Sequence, residues 1–388
     1  MSIRTTIVLS ACFAVVTLLE GASHERALPH FREHIVTREV PGGYQVVTAD
    51  LNGDGAVDLI AVAQDSISLV WYENPGWQRH LISAGFNGMI NLSPWDFDHD
   101  GRPELILAHD FDMDPSKSRG TLSVLHSAAD VTAPWTVKKV DELPTSHRVR
   151  WADIDGSGQK VLIDAPLVGP NALAPDYRDR VPLVYYRPGE WKRHLIDNEE
   201  EGILHGLTVV DWFHNGRSQI LTAGFSGIAL RSLDANGKWE RTLISKGDPA
   251  PWPKGGSSDV VIGRMKKDRF LAAIEPWHGN EVVVYREEKN GWKREVIDSE
   301  LQDGHAIATV DLNGDGIDEI IAGARGTHNV CLYSFNGKQW RKSVLDPGIA
   351  AAACAIADLN SDGKPDIACI GDGMLKWYEN MGEWQAAR

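Results

Sequence analysis

The sequence predicts an all-β fold, a seven-bladed β-propeller of four-stranded antiparallel blades whose ring is closed by the N-terminal strand. Three observations predict it. One acidic loop recurs, as DLNGDGAVD at Asp50–Asp58, DFDHDGRPE at Asp96–Glu104, DLNGDGIDE at Asp311–Glu319 and DLNSDGKPD at Asp358–Asp366. Short apolar, β-branched runs flank each copy and are split by Gly, Asn and Asp turns, the pattern of strands rather than helices. Trp-led segments follow at a constant phase. Self-similarity at this period marks a repeat architecture, and four strands per repeat fit propeller blades.

Taken in chain order, Met1–Ala22 carries Arg4 and then an apolar run from Ile7 to Leu19. The run is too short to span a bilayer and is placed like a secretory signal, so a secreted or periplasmic protein is expected, with residues 23–388 forming one propeller domain. Leu9-Ser10-Ala11-Cys12 matches a lipoprotein box by letter, but the apolar run continues past Cys12, and export without a lipid anchor is the stronger reading. FREHIV at Phe31–Val36 precedes the first repeat and suits the missing fourth strand of the last, which stops at Trp377–Asn380. Such closure would remove an open sheet edge.

The first Asp of successive loops falls at 50, 96, 153, 211, 311 and 358, so one step of 100 residues leaves room for a further repeat. DIDGSGQKV from Asp153 and DWFHNGRSQ from Asp211 are worn copies, and Asp259–Trp277 reads as a repeat without the loop. Seven repeats result. Within one of them, GHAIATVDLN leads into the loop, followed by EIIAGARG, NVCLYSF and WRKSVLD. The fourth strands recur from Trp77, Trp135, Trp191, Trp239 and Trp292.

The loops also specify a metal. In D-x-[DN]-x-D-G-x-x-[DE], oxygen side chains alternate around a tight turn and a carboxylate closes it, the donor set of a hard divalent cation, Ca²⁺ above all. The expected ligands are Asp50, Asn52, Asp54 and Asp58; Asp96, Asp98, Asp100 and Glu104; Asp311, Asn313, Asp315 and Glu319; and Asp358, Asn360, Asp362 and Asp366. A weak site is expected at Asp153 and none at Asp211. The loops resemble the FG-GAP or VCBS repeats of integrin-type propellers from about Phe31 onward, which implies the fold and Ca²⁺ but no particular activity.

Composition excludes some functions. A formal charge of −15 argues against nucleic acid and anionic membranes as partners, and no segment suits stable membrane insertion. Three cysteines follow the signal; Cys354 and Cys369 flank the last loop and are expected to pack as small buried thiols. No G-x-S-x-G, H-E-x-x-H or dinucleotide fingerprint is present.

Candidate chemistry lies at the other end of the inner strands. Six residues before each loop's first Asp stand Tyr44, Ile90, His147, His205, approximately Ser257, His305 and Ala352. Three of these are His, in a chain with 14 in all. Second-strand ends add His109 with Asp110, Glu275 with Trp277 and His278, and Arg325 with His328; Arg148 and Arg150 flank His147. An insertion, Val168–Arg180, would overhang the same mouth with Tyr177, Arg178 and Asp179. By contrast His80, His194, His99 and His214 are expected at the surface. Imidazoles move protons near neutral pH and Arg offsets a developing enolate, which suits β-elimination by His147, His205, His305, His109 and His278 with Arg148 and Arg325. Alternatively, three His hold a transition metal doing the same electrophilic work.

Ser146–Pro170, together with ILHGLTVVD and DGHAIATVDLNGDG, is similar to the propeller part of aldos-2-ulose dehydratases, and the propeller-type rhamnose-glucuronate lyases are related in pattern. The resemblance implies a central-channel His acting in dehydration or elimination on a sugar or polysaccharide. The dehydratases' C-terminal domain has no counterpart here, so a second, isomerase-like step is not expected. The competing expectation is a non-catalytic propeller that binds glycans or a protein. The oligomeric state stays open.

Overall fold

The computed structural model describes residues 27–382. The signal segment and Cys12 lie outside the described residues. Seven four-stranded sheets follow one another in sequence, each an antiparallel meander, and no helix occurs among the described residues. The inner strands are Gly43–Ala49, Asn91–Trp95, Ser146–Ala152, Leu204–Val210, Asp259–Met265, Gly304–Val310 and Ala351–Ala357. The seventh sheet takes its outermost strand from the N-terminus: Phe31–Thr37 pairs antiparallel with Met374–Asn380, from Phe31 opposite Asn380 to Thr37 opposite Leu375. Ring closure by the N-terminal strand is thus observed.

Burial explains the strand sequences. Second strands such as DLIAVA, EIIAGA and DIACIG are buried at every residue because neighbouring blades cover both faces. Fourth strands such as GWKREVID face solvent and alternate with polar residues. Trp191 falls before its strand, which starts only at His194. Acids at the ends of fourth strands clamp neighbouring blades. Asp298 accepts from Tyr333 and Lys342 of the next blade, as Asp346 does from Tyr378 and Lys376.

Two expectations about side chains are corrected. His80 is buried because it lies directly opposite Trp71 on the third strand, stacks on that indole and sits 2.8 Å from Glu73 Oε2. Cys354 and Cys369 are joined in a disulfide, with Cα atoms 4.1 Å apart. They face each other directly in register across the first two strands of the last blade, where opposed side chains come close. Cys331 is a free, buried thiol.

Candidate active site at the channel mouth

Each propeller inner strand starts at one mouth of the central channel. In five blades the sheet register slips there by one residue, between Gly43 and Gln45, Ser146 and Arg148, Leu204 and Gly206, Gly304 and Ala306, and Ala351 and Ala353. The skipped residues are Tyr44, His147, His205, His305 and Ala352. The repeating slot is therefore a β-bulge, a device that frees one residue from the ladder and re-aims its side chain. In the second blade Ile90 precedes the strand, and in the fifth the ladder runs without a bulge from Asp259. The fifth blade's counterpart is Ser258 rather than Ser257. His205 Nδ1 lies 3.2 Å from the Ser258 carbonyl, as His305 Nδ1 lies 2.6 Å from that of Ala352.

The bulges bring the predicted imidazoles together. Ring centroids of His205 stand 5.0 Å from those of His147, His278 and His305, and His278 is 5.1 Å from His305. His147, His205 and His305 are at most 3% exposed. Arg148 threads between them, with Nη1 3.2 Å from His147 Nε2 and Nη2 3.4 Å from His205 Nε2. Arg325 is held by both oxygens of Asp303 and places Nη2 3.1 Å from His278 Nδ1.

The hydrogen bonds assign tautomers, since a guanidinium only donates and a carbonyl only accepts. Arg325 donates to His278 Nδ1, His278 Nε2–H donates to His205 Nε2 at 3.3 Å, and His205 Nδ1–H donates to Ser258. His305 donates from Nδ1, so its buried Nε2, which has no partner, carries a free lone pair. His147 Nε2 accepts from Arg148 and from the Tyr44 hydroxyl at 3.0 Å. Burial, then the neighbouring Arg148, holds His147 and His205 well below the usual imidazole value. Burial, then the neighbouring imidazole of His278 and Arg325, does the same for His305, and burial with Arg325 lowers His278 to about 4. Burial and the two guanidiniums therefore favour the neutral form of these imidazoles.

A mouth cavity of about 480 Å³ opens over the cluster, lined by Tyr44, His147, His205, Phe111, Trp277, His278 and Arg325. Below it a channel cavity of about 330 Å³ is lined by Arg148, Arg150, Asp259 and His305. Tyr44 lines both. Arg150 donates to Asn91 Oδ1 at 2.7 Å, and burial lowers it to about 10 while raising Asp259. The insertion does reach the mouth. Tyr177 meets Trp277 edge-on at 6.2 Å and Arg178 covers Trp252 at 4.6 Å, whereas Asp179 is occupied by the amide of Asn171 in its own loop.

His109 does not join the cluster. It ends the second strand of its blade on the face turned to the neighbouring blade, packs edge-on against Phe86, and bonds Ser123 Oγ at 3.0 Å. Glu275 is likewise fully buried, held by Tyr285 and Arg294. Two members were missed in sequence. Tyr44 occupied the slot without being assigned a role, and Asp303 carries no signal beyond preceding a slot strand.

Three groups of residues could hold a metal: His205, His278 and His305; Asp96, Asp98 and Asp100; and Asp98, Glu104 and His126. His205, His278 and His305 each offer a ring nitrogen within 4.8 Å of the others. Carbonyls orient two of them; binding through His278 Nε2 would require its proton to sit on Nδ1 instead, 3.4 Å from Asp303 Oδ1. Asp96, Asp98 and Asp100 converge similarly on the opposite face. In the first loop Asp50 accepts the amides of Gly53 and Gly55 at 2.7 and 2.9 Å, and both glycines take a positive φ, 76° and 86°, with open space beside them. The closing acids differ from a simple ligand picture. Asp58 accepts the amides of Leu51 and Asn74, and Asp366 those of Leu359 and Asn380. Each staples its loop to the sheet, and burial pushes Asp58 up to about 6 and Glu319 to about 8. Lone pairs remain on these oxygens, and an all-oxygen set of this kind suits Ca²⁺. In the worn loops Gln219 takes the staple's place, and Val161 stands there after Asp153.

Comparison with known proteins agrees with this architecture. Residues 50–107 and 311–369 match the FG-GAP-like repeat, and residues 119–288 match the family described as aldos-2-ulose dehydratase, beta-propeller domain. The chain is a seven-bladed propeller built on FG-GAP repeats. It resembles in particular the propeller domain of the aldos-2-ulose dehydratases. Over 301 residues it is 21% identical to the aldos-2-ulose dehydratase of Phanerodontia chrysosporium, covering 67% of this chain and 33% of that protein. A 129-residue stretch is 32% identical to integrin alpha pat-2 of Caenorhabditis briggsae, covering 29% of this chain and 10% of that one. The chain thus spans a third or less of these relatives. One chain in the crystal structure of the mitotic checkpoint complex superposes with a TM-score of 0.58 at 12% identity, covering 97% of this chain and 99% of that one, a likeness of fold alone.

Proposed function

We propose that this protein is an exported, Ca²⁺-stabilised propeller that carries out β-elimination on a carbohydrate at its channel mouth, as a lyase or dehydratase. The observation that carries the reading is the convergence of four imidazoles, three of them buried and His278 half-buried, with Arg148 and Arg325 where the mouth cavity meets the channel cavity. The relative named a dehydratase supports the reaction class.

Tyr44 and His147 form the proton-handling pair. Tyr44 takes the proton from the carbon beside a carbonyl or carboxylate as its own proton passes to His147 Nε2, 3.0 Å away. Arg148 and Arg325 offset the negative charge that develops. The same pair returns the proton to the departing oxygen, so one C–H and one C–O bond break, one C=C bond forms, and nothing is oxidised overall. His205, His278 and His305 would hold a transition metal such as Zn²⁺, which when bound supplies Lewis-acid polarisation of the substrate oxygen. The acidic loops bind Ca²⁺ structurally, on the face away from this chemistry. The competing reading, glycan binding without turnover, draws on the aromatic side chains of Tyr177, Trp252 and Trp277 at the rim.

Incubation with keto-sugars and uronate-containing glycans is expected to give an unsaturated product absorbing in the ultraviolet. His147→Ala, His205→Ala and His305→Ala should each lower turnover by roughly 10²–10⁴-fold with melting little changed. Full activity in these variants on an identified substrate refutes the site, and binding without product from the whole panel favours the competing reading.

A further inference from the structure

The four acidic loops differ chemically at one corner. Each lies beside the end of its blade's third strand, and sheet register fixes which residue stands there. Leu59, Leu105, Ile320 and Ile367, the residues after the closing acids, pair with Tyr72, Leu125, Tyr333 and Tyr378. One residue further on, beside the loop, come Glu73, His126, Ser334 and Glu379. The second blade is the one with a nitrogen donor at this place. It also has Asp98 where the others have Asn52, Asn313 and Asn360. Those amides donate to the nearby carboxylates: Asn52 Nδ2 to Glu73 at 3.1 Å, Asn313 Nδ2 to Glu319 at 3.2 Å and Asn360 Nδ2 to Glu379 at 3.4 Å. An ionised Asp98 has no hydrogen to give, so in the second blade two carboxylates and an imidazole converge instead. Glu104 is 4% exposed; its Oε2 accepts the Phe97 amide at 3.1 Å and its Oε1 stands 3.5 Å from His126 Nδ1. Phe97 packs edge-on against the His126 ring at 5.7 Å. Donor atoms of Asp98, Glu104 and His126 all lie within 4.8 Å of one another. Ligands about 2.0–2.2 Å from a tetrahedral ion stand roughly 3.3–3.6 Å apart, so the Glu104–His126 spacing already suits one, and the exposed Asp98 can rotate to complete the set.

We infer that Asp98, Glu104 and His126 form a transition-metal site that takes Zn²⁺ in preference to the Ca²⁺ suited to the other three loops. An all-oxygen donor set favours Ca²⁺, whereas an imidazole nitrogen favours Zn²⁺ and its neighbours in the first transition row. The ion neutralises the two facing carboxylates, the task that amide hydrogens perform in the other blades, and ties the loop to the end of the third strand. The loop's own turn does not need it. Asp96 accepts the amides of Asp100 and Gly101, and Asp100 accepts that of Arg102, as the equivalent acids do elsewhere. The site lies at the loop end of the blade, away from the mouth, and is independent of any reaction there.

Zn²⁺ binding to the full protein, counted by equilibrium dialysis with Ca²⁺ in large excess, tests the site. Wild type should retain one equivalent of Zn²⁺ that His126→Ser and Glu104→Gln each lose, or bind at least about tenfold more weakly. Both substitutions install residues this chain already uses at the same positions. Ser334 stands there in the sixth blade, and Gln219 in the fourth, where its side chain accepts the Trp212 amide at 2.7 Å as Glu104 accepts that of Phe97. Melting in Ca²⁺ alone should therefore stay close to wild type, and each variant covers a folding failure of the other. Glu319→Gln in the sixth blade and His305→Ala at the mouth should leave this equivalent in place, separating it from the Ca²⁺ loops and from the mouth imidazoles. Three results overturn the site: no Zn²⁺ retained against excess Ca²⁺, an unchanged Zn²⁺ count in either folded variant, or loss of the only retained equivalent in His305→Ala.

Discussion

The two ends of the inner strands solve different problems with the same backbone. At the loop end, blades one, two, six and seven repeat one solution: a first Asp capping two glycine-rich amides, oxygen donors at alternate positions, and a buried acid stapling the loop to the sheet. At the mouth end the shared feature is a backbone irregularity, the bulge, and the residue on it differs from blade to blade: Tyr44, His147, His205, His305, Ala352. Repetition serves the scaffold. Variation at a repeated geometric position builds the site. The fifth blade makes the point from the other side, since it has neither bulge nor acidic loop, and its Ser258 serves as a support, the carbonyl accepting from His205 and the hydroxyl from the His278 amide.

If the two ends are independent, perturbing one should leave the other's property intact. Ring closure is the exception and carries the largest effect. Deleting residues through Val36 removes most of the strand that pairs with Met374–Asn380 and leaves an open edge. Melting should fall steeply and turnover with it, whereas deletion through Ala22 should change neither; equal melting of the two truncations would contradict the closure. Chelation comes next. If the folded loops bind Ca²⁺ and the unfolded chain does not, removing it should lower Tm, with turnover per folded molecule unchanged. An unaltered Tm after verified metal removal would count against structural Ca²⁺, and a proportionate loss of turnover would break the separation of the two ends.

The smallest effect sharpens the comparison at the mouth end. Asp164 is fully buried behind the bulge of the third blade, accepts from Ser146 Oγ at 2.8 Å, and leaves Oδ2 without a partner. Burial raises it from 3.8 to about 7. Between those values the folded protein holds a proton that the unfolded chain has released, so this residue's contribution to stability falls as pH rises through that window. Asp164→Asn should flatten the dependence, raising stability at pH 8 by on the order of a few kcal/mol with little gain at pH 4. Parallel pH profiles for the two proteins would show that Asp164 is not protonated in the fold.

The architecture was legible because it is periodic. Loop spacing, Trp-led strands and the missing fourth strand at Trp377–Asn380 together determine blade count and closure. Much of the site was legible too, because a count of six residues back from each loop stays constant along a strand of fixed length. That count slipped by one in the fifth blade, where no loop anchors it. His109 misled because the end of a second strand alternates between facing the mouth and facing the neighbouring blade, and one residue of phase decides which. Asp303 was invisible for a related reason: its role is to clamp Arg325, a contact between residues 22 apart that no local pattern encodes. The Cys354–Cys369 bond turned on register, which spacing alone did not give.

The central claim is that neutral imidazoles at the channel mouth enable removal of a proton from a sugar carbon. Deuterium wash-in tests it most directly, using in D₂O a keto-sugar or uronate analogue that lacks the leaving group, with exchange at the adjacent carbon followed by NMR. Wild type should exchange that proton, His147→Ala and Tyr44→Phe should each slow exchange by roughly 10²-fold or more, and Asp311→Ala in the acidic loop should exchange normally while folded. Exchange that is absent from the wild type on every analogue, or that persists at full rate in both mouth variants, would contradict the account.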